Sequence, residues 1–328
     1  MKILITGASG FIGSHLAKFC LSRGTKVHLC DNNIRGKIDD FIREILEDKN
    51  ARFISADLTK EEDMSKLDDN YDIIFHLAAI NGTENFYKIP YTIMEVAIKS
   101  TMLLLEKYGD KNTKFVFTSS SEVYAGTIQS NATFIPTKED VPCTIDNVLN
   151  ERFSYGGSKL ACEIMINSFA KEYGLEYRII RYHNIYGPRM GTKHVIPQFI
   201  HRSRSREDPY NIYGDTQTRA FCYIDDAVRA TYDVATSAEN GIYHVGNDLE
   251  EIQIIKLAEK INLWYNHAVS YSVEKPPPGS VFRRCPDISK IKREIGFHPK
   301  VSLEEGLHKT IEWYEQWYDT SHVKAGLL

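Results

Sequence analysis

Short apolar runs and longer amphipathic stretches take turns along the first half of the chain. Lys2–Thr6 is an apolar run, and Phe11–Leu21 repeats its apolar positions at helical spacing. Further runs follow at Val27–Cys30, Arg52–Ser55, Asp72–His76, Lys114–Phe117 and Tyr177–Arg181. Helical patterns over Asp39–Glu47, Tyr91–Tyr108 and Tyr155–Tyr173 separate most of them. Strands alternating with helices predict parallel βαβ units, and hence an α/β fold with an open, doubly wound sheet. Beyond about residue 183 the rhythm loosens, with more Pro and Gly. The chain therefore divides into 1–182 and a smaller α+β lobe over 183–328, with no flexible linker between them.

Bulk properties narrow the function. The net charge of −4 comes from interspersed acids and bases, with no basic block of the kind that tracks nucleic-acid phosphates. Six cysteines show neither a C-x-x-C pair nor metal-finger spacing, so reduced thiols in a cytoplasm are expected and no metal site. The opening run is too short for a signal-peptide core, and no window reaches the roughly 18 apolar residues of a membrane span.

Chemistry enters with "TGASGFIG". Gly7, Gly10 and Gly13 fall at the turn between a short strand and an amphipathic helix. Glycines there let the backbone approach a pyrophosphate, and the helix N-terminus offers free N–H groups, which predicts a Rossmann-type dinucleotide site. Asp31 follows the second run, eighteen residues after Gly13. A carboxylate there accepts ribose hydroxyls and repels a 2′-phosphate, favouring NAD over NADP. Arg35 lies near enough in sequence to hold such a phosphate instead. Asp57-Leu58 after the third run is placed either to touch adenine or to cap a helix.

"YGGSK" puts Tyr155 and Lys159 four apart, on one helix face. An ammonium beside a phenol favours the phenolate, which suits proton transfer with a sugar hydroxyl. The same spacing recurs at Tyr271 and Lys275, but Pro276-Pro277-Pro278 follows at once, so that pair reads as a strand end and loop.

With these pieces in order, the chain resembles the extended short-chain dehydrogenase/reductases, in the NAD-dependent epimerase/dehydratase group that acts on nucleotide sugars. The resemblance runs through "TGASGFIG", Asp31, Asp57-Leu58, "FHLAA", "TSSSEVY", "YGGSK", "RYHNIYGPR", "TRAFCYIDDAVRA" and "RRCPDISKIKREIGFHP". It implies an NAD-binding first lobe and a second lobe that holds the nucleoside diphosphate sugar. It implies NAD contacts from Gly7, Gly10, Phe11, Ile12, Gly13, Asp31, Asn32, Asp57, Leu58, Leu77, Ala78, Ala79, Tyr155 and Lys159. His76 either shapes the nicotinamide pocket or is structural, the latter being preferred. Asn184, Arg219 and Arg284 match substrate positions; their plainer readings are a turn residue and surface salt bridges.

By the same resemblance, Ser120 joins Tyr155 and Lys159 as the catalytic trio for transient oxidation of the sugar, often at C4. The next two positions vary with the outcome. The dTDP-glucose 4,6-dehydratases carry Asp-Glu there, and simple 4-epimerases carry small or uncharged residues. Ser121-Glu122 is similar to the Ser-Glu of UDP-glucuronate decarboxylases. Decarboxylation of a nucleotide-linked hexuronate leads, with 4-epimerisation and then dehydration as alternatives, and a solvated loop carboxylate as the plain reading of Glu122. A non-catalytic dinucleotide sensor and an NADP-dependent carbonyl reductase remain from other classes. Two helices with apolar residues nearly all round, 91–108 and 154–173, predict a homodimer. The stretch "AINGTENF" (Ala79–Phe86) leaves the sugar open.

Overall fold

The computed structural model describes residues 1–109, 112–130, 134–275 and 281–320. Its strands begin within one residue of the apolar runs: β1 (Lys2–Thr6), β2 (Lys26–Asp31), β3 (Ala51–Ser55), β4 (Ile73–His76), β5 (Lys114–Ser120) and β6 (Tyr177–Tyr182). With the strand Gly241–Val245 they form one seven-stranded sheet. Every neighbouring pair in it is parallel.

Helices cover both faces: α1 (Phe11–Ser22), α2 (Asp40–Leu46), α3 (Thr83–Lys88), α4 (Pro90–Tyr108), α5 (Ala125–Ser130), α6 (Phe153–Tyr173), α7 (Val195–Arg204) and α8 (Ile224–Ser237). This double cover explains why the central strands read as continuous apolar runs rather than alternating ones. Ile3 and Ile5 of β1 bury against Leu16, Ala17 and Cys20 of α1 on one face. Leu4, between them, joins Ile74, Leu104, Phe115 and Phe117 on the other.

Helix ends follow local chemistry. Asp39 is the N-cap of α2, accepting from Ile42 N, rather than its first residue. Pro90 opens α4, and Gly174 closes α6 in the left-handed region at φ 76°. Buried Arg181 of β6 pairs with Glu163 of α6 at 2.5 Å, fixing that helix over the sheet.

The strand order is 241–245, β6, β5, β4, β1, β2, β3, so chain direction across the sheet reverses between β1 and β4. Ligands of such sheets bind outside the carboxyl ends of the strands at this switch point. Thr6, His76, Asp31 and Ser120 all lie at those ends. The sheet draws on both sides of residue 183, since Gly241–Val245 pairs with β6.

Beyond β6, a three-stranded sheet sets Thr218–Ala220 between Glu251–Gln253 and Arg283–Arg284. Its register makes Arg284 the direct partner of Arg219. Tyr271 lies in the strand Tyr271–Glu274 and Lys275 follows it. The proline run expected there as a loop, Pro276–Pro278, and the end of the second lobe at 328 lie outside the described residues. Among the described residues no helix is long and apolar enough to cross a membrane.

Candidate active site

The glycine-rich turn is built where only glycine fits. Gly7 has φ +67°, and a Cβ on it would stand 2.8 Å from Ala78 N. A Cβ on Gly13 would meet Gly7 O at 2.4 Å. The turn therefore nests between α1 and the end of β4, leaving the α1 N-terminus open to an anion. Leu77 N and Ala78 N both donate to Thr6 Oγ1 at 3.1 Å, which ties β4 to β1 beside the turn. Phe11 and Ile12 begin α1 half-buried.

Asp31 accepts from Ser9 N at 3.0 Å and Asn33 N at 2.8 Å. Burial raises its carboxyl above the usual range, an effect that these bonds and the Arg189 charge oppose. Arg35 turns away from this ribose-binding position and donates to Asn81 Oδ1 at 3.0 Å. The expectation that it might hold a 2′-phosphate thus loses its geometric support. Asn32 Oδ1 accepts from Ile34 N. Asp57 caps no helix; its Oδ1 takes both Thr59 N and Thr59 Oγ1, closing a turn beside buried Leu58. These residues form a cradle that a dinucleotide fits, with glycine where a Cβ would collide and a carboxylate at the ribose position.

The trio lies at the other end of the crevice. β5 runs through Thr118 and Ser119 to Ser120, so "TSS" is strand rather than loop. Ser120 Oγ accepts from Glu122 N at 3.2 Å, starting a short 3-10 turn over Ser121–Tyr124 in which Ser121 is buried. A hydrogen bond from Ser120 lowers the Tyr155 phenol, but burial and the Glu122 charge outweigh it and push Tyr155 up to about 12. Lys159 Nζ donates to Thr118 O at 2.8 Å. Its burial pulls it down from 10.5 to about 8. The expected lowering of Tyr155 by Lys159 is therefore not what governs the phenol in the protein alone. The Tyr155 ring stacks on Phe86 of α3, centroids 5.2 Å apart. Gly156 is required here because a Cβ would sit 2.7 Å from Glu122 O.

Glu122 is not a solvated loop residue. Its Oε1 meets Arg284 Nη1 at 3.0 Å and its Oε2 meets Arg152 Nη2 at 3.4 Å, with 17% of its side chain exposed. Burial raises its carboxyl, but Arg284, Arg152 and then Arg219 more than reverse this and hold it below the ordinary carboxylate range. Two guanidinium groups thus pair with one carboxylate, and the charge of a third, Arg219, acts on it as well. The Nε atoms of Arg152 and Arg284 are buried without a hydrogen-bond partner. Arg219 donates to Thr218 O and Phe282 O, and burial drops it to about 9. Neither Arg219 nor Arg284 sits in a surface salt bridge. Asn184 donates to Ala220 O at 3.0 Å. His76 is structural: almost fully buried, it bonds Thr6 Oγ1 and Thr101 Oγ1, and burial lowers it to about 3.

Residues 3–246 match the model of the NAD dependent epimerase/dehydratase family. The chain belongs to that family. It is 35% identical to a UDP-N-acetyl-alpha-D-glucosaminuronate decarboxylase of Bacillus cytotoxicus, over 96% of this chain and 98% of the relative. A Thermotoga maritima UDP-glucose 4-epimerase with UDP-glucose superposes at TM-score 0.86 and 31% identity, covering 97% of this chain and all of the other. A Bacillus cereus UDP-glucuronic acid 4-epimerase, in complex with UDP-glucuronic acid and NAD, gives 0.83 and 28%, over 97% of this chain and 100% of the other. NAD is the cofactor of this extended short-chain dehydrogenase/reductase fold.

Two elements of this epimerase/dehydratase site escaped sequence reading. Arg152 lies three residues before Tyr155, one helical turn away, so it shares the face that carries Tyr155 and Lys159. Reading the motif from Tyr155 onward hid it. Phe86 belongs to the stretch "AINGTENF", and an aromatic residue opening onto a helix was its one signal.

Proposed function

We propose that this enzyme decarboxylates a nucleoside-diphosphate hexuronate through transient oxidation at C4. The observation that carries the reading is the nest around Glu122: three arginines, one carboxylate and two unpartnered buried Nε atoms. Such a surplus of guanidinium charge suits a substrate carboxylate beside the diphosphate. The likeness to the Bacillus cytotoxicus decarboxylase favours UDP-linked N-acetylglucosaminuronate, then UDP-glucuronate.

In this reading Gly7, Gly10, Phe11, Ile12 and Gly13 hold the NAD pyrophosphate, and Asp31 with Asn32 holds its ribose. Asp57, Leu58, Leu77, Ala78 and Ala79 line the rest of its bed. NAD held there would supply reversible hydride acceptance at C4 and a positive ring that favours the Tyr155 phenolate. Ser120 holds the C4 oxygen while Tyr155 takes its proton, and Lys159 fixes the phenol's surroundings from Thr118 O. The resulting β-keto acid breaks its C5–C6 bond. Carbon dioxide leaves, and the electron pair moves to the C4 oxygen, where Tyr155 supplies a proton. Glu122, ionised by its arginines, orients a water that protonates C5 and departs as hydroxide, while the C4 enol returns its proton to Tyr155, which donates it to the C4 oxygen when that carbon is reduced again. Ser121 in place of an acid gives no proton donor for loss of a C6 hydroxyl. Asn184, Arg219 and Arg284 bind the nucleotide sugar.

A second reading, 4-epimerisation of the same uronate, draws on the Bacillus cereus epimerase. Mass spectrometry after incubation with UDP-linked hexuronates and NAD separates the two. Loss of carbon dioxide is expected; product of unchanged mass would transfer the assignment to epimerisation. The enzyme is further proposed to dimerise through α4 and α6, where Tyr91, Met94, Met102 and Ile164 are exposed. Six free cysteines fit a reducing, cytoplasmic setting.

A further inference from the structure

One guanidinium ties the second part of the chain to the cofactor cradle. Arg189 follows the "NIYGP" stretch with its backbone at φ +68°, a region uncommon for residues with a Cβ. Its side chain is only 8% exposed, though it lies between segments far apart in sequence. Nε donates to Asp39 Oδ2 at 2.7 Å and Nη2 to Lys37 O at 3.1 Å. Nη1 donates to Gly10 O at 3.1 Å and to Ser14 Oγ at 2.9 Å. Four of the five N–H donors of an arginine are thus engaged.

These four acceptors fall into two groups. Gly10 and Ser14 belong to the glycine-rich turn and α1. Lys37 and Asp39 end the segment 32–39, which leaves β2 at Asp31. The start of that segment is tied to the same turn: Asp31 accepts from Ser9 N, and Ser9 Oγ donates to Asn33 Oδ1 at 2.8 Å. The two layers touch, since a Cβ on Gly36 would stand 2.5 Å from Ser9 Cβ. The ribose-binding carboxylate and the pyrophosphate-binding helix end cannot separate unless the segment lifts. Lifting its far end breaks the Arg189 bonds.

We propose that Arg189 is a latch: it holds segment 32–39 against the glycine-rich turn and sets how slowly NAD leaves. The inference rests on the NAD cradle assigned above and not on which reaction the sugar undergoes.

Exchange of bound NAD for isotope-labelled NAD, followed by mass spectrometry of the purified full-length protein, tests this. Arg189→Lys keeps the charge but cannot reproduce the planar fork. It should exchange tenfold faster or more. Asp39→Asn keeps the helix cap and loses the ion pair, and should exchange about threefold faster. A purely structural arginine would lower the melting temperature equally with and without NAD, whereas the latch requires the NAD-induced increment itself to shrink. Exchange within 1.5-fold of the wild type in either variant, with an unchanged increment, overturns the latch alone. A wild type that binds no NAD overturns the cradle and the latch together.

Discussion

Two clusters share the face of α6 and differ in kind. Ser120, Tyr155 and Lys159 come from one strand end and one helix, and contain a single cation with no carboxylate. Glu122, Arg152, Arg219 and Arg284 come from four separated segments and contain three cations around one carboxylate. In the first, burial pushes the phenol up to about 12 and the ammonium down to about 8, so both groups resist ionisation. In the second, the arginine charges hold the Glu122 carboxyl below its ordinary range against its burial, while burial and the neighbouring Arg284 lower Arg219 to about 9. In the proposed function the contrast divides the labour, with the trio moving a proton for any sugar hydroxyl and the nest selecting an acid.

That division is breakable from either side. Tyr155→Phe should have the largest effect, lowering turnover by about 10²–10⁴ as expected for loss of a positioned acid–base group. Binding of NAD and of UDP-hexuronate, measured by calorimetry, should stay within a few-fold. Loss of uronate affinity on the same scale as turnover would mean the clusters are one unit.

Arg152→Gln should act the other way. Truncating one partner of a buried charge pair typically costs about 2–5 kcal/mol of binding. The loss should fall on UDP-hexuronate and spare UDP-hexose, because Arg219 and Arg284, the proposed diphosphate partners, remain. Equal losses for both ligands would remove the acid-selecting role.

The smallest effect concerns stability. A lysine whose folded value lies near 8 against 10.5 unfolded carries a penalty of about 3 kcal/mol at neutral pH. Between pH 8 and 10.5 the unfolded chain binds more protons, so stability rises with pH across that window. Lys159→Met removes the penalty along with the bond to Thr118 O. It should therefore melt higher than the wild type at pH 7, with the difference closing towards pH 10. A lower melting temperature at pH 7 would show that the Thr118 bond outweighs the burial cost.

How much of this was legible in sequence follows from the same contrast. The cores of the trio and the cradle are local: Gly7 and Gly10 sit in the turn that opens α1 and Gly13 in that helix's first turn, and Tyr155 and Lys159 are one helical turn apart. Continuous apolar runs announced a sheet covered on both faces, which the packing of Ile3, Leu4 and Ile5 bears out. The nest is not local. Arg219 and Arg284 meet only through the register of two very short strands, and Arg152 joins them from the cap of α6. Arg35 illustrates the limit most simply, since four residues from Asp31 in sequence it turns to Asn81 instead. The Lys159–Tyr155 coupling was overstated because spacing along a helix says nothing about desolvation, which dominates both groups.

Glu122→Gln, followed in a single turnover with a UDP-linked hexuronate, tests the central claim most directly. The trio is intact in this variant, so oxidation at C4 should proceed. Absorbance at about 340 nm from enzyme-bound NADH should then persist, because protonation of C5 after carbon dioxide has left should slow by about 10²-fold or more, the scale of a lost acid–base group. Absorbance that decays at close to the wild-type rate, with the decarboxylated sugar formed normally, would contradict the account and leave Glu122 as a counter-ion for its arginines.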